Sequence, residues 1–150
     1  MKVQTKYFGE VEVDEKDQIA FEQGLPGFRD YQTFVMLTIP EAPFYVVLQS
    51  LEVHDLAFIL TNPYIFFQDY EFDIDGTSEE ELEINSTKEV EVYSVITIRD
   101  PFKQSTINLQ APIIYNKNTN QAKQIVLNSS VYHTKHLIIQ EEEGGSNARP

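Results

Sequence analysis

The chain has 150 residues, of which 41% are hydrophobic, enough for one domain that buries its own core. It carries 24 Asp and Glu against 11 Lys and Arg, a formal net charge of −13, which argues against direct contact with DNA or RNA and favours basic protein partners. Cysteine is absent, which excludes disulfides and thiolate metal sites; no signal-like N-terminus or membrane-length apolar run is seen, so a cytoplasmic protein off the membrane is expected.

In chain order, residues 2–5 and 10–13 flank Tyr7-Phe8-Gly9 and are predicted to form a hairpin, followed by a strand over 18–21. Gly24-Leu25-Pro26-Gly27-Phe28 predicts a type II turn, with Pro26 at its second position, Gly27 taking the positive φ at its third and Phe28 anchoring it to the core. A single helical turn is expected over 28–33. Two β-branched and aromatic runs, 44–51 and 56–60, read as central strands buried on both faces, the second stopped by Asn62-Pro63. A long strand over 90–98 ends before Asp100-Pro101.

The run Ile107-Asn108-Leu109-Gln110-Ala111-Pro112-Ile113-Ile114-Tyr115-Asn116 and the run Gln124-Ile125-Val126-Leu127 predict two more strands across a polar turn. Pro112 has no N–H for a ladder, so its strand is placed at a sheet edge or given a bulge. Helix is minor. Thr77 with Glu80 and Ser78 with Glu81 offer overlapping capping boxes for a short helix over 78–84. Residues 131–137 fit strand or helix equally, and residues 144–150, without an apolar anchor, are expected to be a disordered tail. Strands at such short spacing predict an all-β fold: a small antiparallel β-barrel with one or two short helices, a single domain over residues 1–143.

The segment Asp69-Tyr70-Glu71-Phe72-Asp73-Ile74-Asp75 carries the sharpest pattern. As a strand it would set Tyr70, Phe72 and Ile74 on one face and Asp69, Glu71, Asp73 and Asp75 on the other. Ten of the 24 acids lie between positions 69 and 91, with Lys88 the only cation among them. Such a row suits a solvated outer face or a docking surface for a basic partner. It also imitates a calcium loop, but the twelfth position falls on Leu82 where a bidentate Glu is needed, so no metal is expected. His133 and His136, three apart, have no third ligand in view, and His54 is distant. No nucleophile elbow, phosphate loop or dinucleotide motif is present, so neither enzymatic activity nor a cofactor is expected.

Several of these blocks, in this order, resemble the FliW family of flagellar assembly factors over roughly residues 3–140. They are Ile19-Ala20-Phe21 running into Gly24-Leu25-Pro26-Gly27-Phe28, Leu48-Gln49-Ser50-Leu51, Leu56-Ala57-Phe58, Asp69-Tyr70, Asn108-Leu109-Gln110-Ala111-Pro112-Ile113, Gln124-Ile125-Val126-Leu127, and Tyr132 with His136. The resemblance implies a compact antiparallel β-barrel. It also implies a non-enzymatic regulator that binds flagellin and the dimeric RNA-binding repressor CsrA, antagonising CsrA repression of flagellin translation and coupling it to filament assembly. Under that reading Asp69, Glu71, Asp73 and Asp75 are the candidate contacts to CsrA, and Phe28, Pro112 and Ile113 those to flagellin, and the free protein is expected to be a monomer. The alternative is a small barrel that binds or hydrolyses a polar ligand through clustered carboxylates, and a cavity of several hundred cubic ångströms at the barrel mouth would favour it.

Overall fold

A computed structural model describes residues 1–139; the expected tail at 144–150 lies outside the described residues. The strands are β1 (Lys2–Thr5), β2 (Gly9–Glu12), β3 (Ile19–Ala20), β4 (Thr33–Thr38), β5 (Tyr45–Ser50) and β6 (Ala57–Thr61), then β7 (Val90–Thr97), β8 (Thr106–Ile107), β9 (Ile113–Asn116), β10 (Gln121–Gln124) and β11 (His136–Leu137). One α-helix, α1 (Gly76–Glu81), stands between β6 and β7. No helix among the described residues is long and apolar enough to cross a membrane.

β1 and β2 form the expected hairpin as a separate two-stranded sheet. The larger sheet runs β11-β8-β7-β6-β5-β4-β3-β10-β9, and β9 pairs back onto β7. That last pairing closes a seven-stranded barrel, antiparallel throughout except for a parallel contact of β10 with β3 at Gln121 and Ala20. Alternation then decides what faces inward. Phe34, Leu48, Leu60, Ile113 and Ala122, with Ile19, Phe21 and Leu25, fill the barrel, and Met36, Val46, Phe58, Tyr93, Val95 and Tyr115 complete the packing. Each fully buried Leu, Ile or Phe here contributes about 1.5–3 kcal/mol through removal from water.

Two further clusters lie outside the barrel. Tyr70, Ile96, Ile107, Leu109 and Ile138 form one, over the outer face of β7 and β8. Leu82, Ile114 and Ile125, with Phe72, Ile74 and Ile84, form the other, over the outer face of β7 and β9. Apolar side chains therefore pack against both faces of the barrel wall along β7, and the segment covering its outside is the acidic stretch at 69–84.

Four expectations need correction. First, the helical turn foreseen over 28–33 is a single non-helical turn, closed by the Tyr31 N–H on the Phe28 carbonyl at 3.2 Å, and β4 follows it where no strand was foreseen. Second, residues 107–116 are not one strand. Asn108 Oδ1 accepts the N–H groups of Gln110 and Ala111, both at 3.0 Å, and this side-chain turn separates β8 from β9. Third, β9 is no edge: it is held by β10 on one side and β7 on the other, with Pro112 just ahead of the ladder. Fourth, its hairpin partner is Gln121–Gln124, upstream of the foreseen 124–127, reached through Asn120 at φ +56°. The ambiguous 131–137 stretch contributes only the two-residue β11.

The backbone of the turn at 24–28 is as foreseen, the Phe28 N–H meeting the Leu25 carbonyl at 2.7 Å and Gly27 at φ +84°, but Phe28 is exposed and does not anchor it to the core. Gly24 has a second reason to be glycine. At φ +66°, a Cβ there would lie 2.5 Å from the Arg29 Cα.

Candidate partner-binding surfaces

The acidic segment is held firmly. Between Phe67 and Asp75 the backbone makes no ladder, so 69–75 is not the strand its alternation suggested. The alternation of faces is nonetheless real: Tyr70 is buried, Phe72 and Ile74 are half-buried, and Asp69, Glu71, Asp73 and Asp75 are exposed. Side chains do the holding instead of backbone pairing. The Tyr70 hydroxyl donates to the Leu109 carbonyl at 2.6 Å, its ring meets Tyr132 edge-on at 4.7 Å, and burial pushes its ionisation well up. Glu71 N–H donates to the Tyr132 hydroxyl oxygen at 3.2 Å.

Asp75 differs from the other three carboxylates. It caps α1, accepting from the Ser78 N–H at 3.1 Å and the Ser78 hydroxyl at 2.7 Å, and these bonds, the hydroxyl foremost, hold its carboxyl below the ordinary range. Neither foreseen capping box forms: the N-cap is Asp75, upstream of both, and α1 starts at Gly76 rather than at Ser78. Asp75 is a structural acid first.

α1 is anchored at both ends. Glu83 adopts φ +54° just past it, and Ile84 N–H returns to the Glu79 carbonyl at 2.9 Å, a Schellman-type stop. The fully buried Asn116 of β9 donates to the Leu82 carbonyl at 2.7 Å. Lys123 of β10 reaches the Ser78 hydroxyl at 3.0 Å and the Glu81 carboxylate at 2.6 Å. Among the described residues, Glu81 and Glu91 are the acids between 69 and 91 that meet a Lys, and Asp69, Glu71, Asp73, Glu79, Glu80 and Glu83 form no ion pair. The result is a rigid, exposed run of uncompensated carboxylates over the outside of β7 and β9.

The residues foreseen as an apolar contact do not stay together. Phe28 is 38% exposed and packs edge-on against Phe58 at 5.6 Å, so it lies on the surface beside the barrel mouth rather than anchored within the core. Pro112 is buried and Ile113 is fully enclosed in the barrel, so neither offers its side chain to a partner. Beside Phe28 a cleft of about 370 Å³ opens between Pro26, Phe58, Asn108, Gln110, Val126 and Thr134. Clefts of comparable size elsewhere do carry acids, Asp69 in one of about 390 Å³ with Phe66, Phe67 and Tyr132, and Glu12, Asp14 and Glu15 in one of about 380 Å³ beside Met1, whereas no carboxylate lines the one beside Phe28. Its residues come from segments far apart in sequence, and no local pattern could have joined them.

The histidines act within the fold. His136 Nε2 accepts the His133 N–H at 2.8 Å, and the two rings stack at 5.4 Å. Burial, aided by the neighbouring His133, lowers the His136 pKa. Among the described residues no cluster of His, Asp and Glu is arranged to hold a metal ion.

The family model described as "FliW protein" matches residues 2–138. The flagellar assembly factor FliW of Bacillus velezensis is 48% identical over 138 residues, covering 92% of this chain and 96% of that protein. That of Bacillus subtilis is 46% identical over the same length and shares of each chain. A solved structure described as the crystal structure of the flagellar assembly factor FliW superposes with a TM-score of 0.90 at 39% identity, covering 95% of this chain and 99% of that one. The chain belongs to the FliW family of flagellar assembly factors.

Proposed function

We propose that this chain acts as a non-enzymatic regulator in the cytoplasm, binding flagellin and the CsrA dimer in turn and thereby antagonising CsrA repression of flagellin translation. The observation that carries the CsrA half is the rigid acidic run. Asp69, Glu71 and Asp73 stand exposed on a scaffold tied down by Tyr70, Asn116 and Lys123, with no ion pair among the described residues to neutralise them. An RNA-binding protein presents cations to phosphate, so a pre-organised carboxylate surface is suited to meet it and then to repel RNA. Asp75 adds charge to that surface but is committed to α1. For flagellin, the exposed Phe28 beside the barrel-mouth cleft is the remaining candidate of the foreseen set, because Pro112 and Ile113 face inward.

The test is charge reversal where nothing structural is lost. The double variant Glu71→Lys, Asp73→Lys should keep its fold, bind CsrA more weakly, and show a shallower dependence of that affinity on salt. Unchanged affinity and salt dependence would remove the acidic run from the interface. A matching Phe28→Ala variant should weaken flagellin binding and leave CsrA binding intact; full flagellin affinity would move that site elsewhere.

A further inference from the structure

The acidic run follows the outer face of β7, from Tyr70 beside Ile96 back toward the start of the strand. Glu89 and Glu91 stand at the start of the strand, and its eight residues carry the chain to Ile98 and Arg99 at the other end, roughly 25 Å away at the ordinary rise per residue. Residues 98–104 are exposed, and they bring Ile98, Arg99, Phe102 and Lys103 to the surface. Ser105 ties this loop to β11: its hydroxyl accepts the Arg99 N–H at 2.8 Å, and its carbonyl accepts the Ile138 N–H at 3.0 Å. Lys135, Leu137 and Ile139 therefore border the same loop.

Three observations converge there. Apolar side chains are left in water, with Leu137 54% and Ile98 50% exposed and Phe102 and Ile139 exposed beside them. Arg99, Lys103 and Lys135 make no ion pair among the described residues, in a chain whose acids outnumber its cations by 24 to 11. Finally, β11 hydrogen-bonds to β8 and to no other strand among the described residues. In an antiparallel ladder, alternate residues face the neighbouring strand. With Ile138 bonded toward Ser105, the N–H and C=O of Leu137 point off the open edge.

We infer that this edge is a docking strip for an extended segment of another protein in which apolar and acidic side chains alternate, added as a strand beside β11. The segment's backbone pairs with Leu137, its apolar side chains cover Ile98, Phe102 and Leu137, and its carboxylates meet Arg99, Lys103 and Lys135. Charge complementarity selects this occupant over a basic one, which would face Arg99, Lys103 and Lys135 against the single carboxylate of Asp100 here and be drawn to the acidic run instead. Asp69 marks the border between the two surfaces. It lies two residues past Phe67, whose ring meets His136 at 6.0 Å. The inference does not depend on which protein occupies the acidic run.

The test is amide chemical-shift mapping on the full chain with two short amidated peptides, one alternating Val with Glu and the other alternating Val with Lys. The Val-Glu peptide should shift amides over 97–105 and 135–139 in a saturable way, with affinity weakened about tenfold by Lys103→Glu. Lys135→Gln should weaken it less. The Val-Lys peptide should instead perturb 69–83. Absence of shifts at millimolar peptide, shifts confined to the barrel mouth, or equal affinity in both variants and the parent would overturn the inference. So would edge shifts that follow protein concentration without peptide, which would make a second copy of the chain the occupant.

Discussion

Gly24 and Gly27 sit three residues apart in one turn, both at positive φ, and replacing each by Ala separates two physical demands. At Gly27, φ is +84° and an added Cβ meets no heavy atom within 4 Å, so Gly27→Ala incurs only the left-handed backbone penalty, about 1–2 kcal/mol. At Gly24, φ is +66° and the Cβ would stand 2.5 Å from the Arg29 Cα and 2.7 Å from the Arg29 carbonyl oxygen, which are backbone atoms and cannot swing aside. Relieving that overlap adds roughly 1–3 kcal/mol to the same backbone penalty, for a total of about 2–5 kcal/mol. Urea unfolding followed by far-ultraviolet circular dichroism reads the difference. With a slope near 2 kcal/mol per molar urea, Gly24→Ala should lower the midpoint by about 1–2.5 M and Gly27→Ala by about 0.5–1 M. Equal midpoint losses would refute the claim that close approach of Arg29, rather than turn geometry alone, requires glycine at position 24.

Gln49 is fully buried and clamps the β1–β2 hairpin to the barrel, its Oε1 accepting the Lys6 N–H at 2.9 Å while its Nε2 donates to the Ser50 and His54 carbonyls, both at 3.1 Å. Gln49→Ala should cost roughly 2–4 kcal/mol and speed tryptic cleavage after Lys6, read by mass spectrometry. Asp75→Ala removes the α1 cap and should cost about 1 kcal/mol at neutral pH. Because the folded Asp75 carboxyl lies below its ordinary 3.8, that contribution is present above 3.8 and lost as pH falls through the lower folded value, where variant and parent unfolding curves should converge. The folded pKa of His136 is lowered from 6.5, so the native state takes up its proton less readily than the unfolded chain. Stability should be full above 6.5 and decline as pH falls below it, and His136→Gln should flatten that decline in urea titrations at a series of pH values.

How far the residues announced this molecule differs from element to element. The type II turn was legible because only Gly relieves a positive φ after Pro26, a purely local demand. β5 and β6 were legible because their apolar runs are longer than any turn could hide. β4 escaped: Phe34-Val35-Met36-Leu37 is an unbroken apolar run without alternation, and its neighbours gave the impression of a turn. The stretch at 69–75 shows what periodicity reads. It reported the faces correctly, yet alternation carries no information about backbone pairing, and here the aromatic side chains dock on the outer barrel wall without a ladder. Pro112 signalled a ladder defect that the fold accommodates at the entrance to β9, while closure of the barrel by β7 and β9 is a long-range event that no local signal encodes. Ile113 was drawn to the surface in expectation by that supposed edge, and closure puts it inside. The cationic strip at residues 98–105 and 135–139 is invisible in sequence for the same reason, since Ser105 joins segments some thirty residues apart.

The central claim is a partner switch, and it is tested most directly by titration calorimetry of this chain against CsrA, alone and after saturation with flagellin. Tight, salt-sensitive binding to CsrA, abolished once flagellin is bound, is the expected result. Tight binding to CsrA that survives flagellin saturation would contradict mutually exclusive states, and absence of binding to either protein would contradict the proposed function itself.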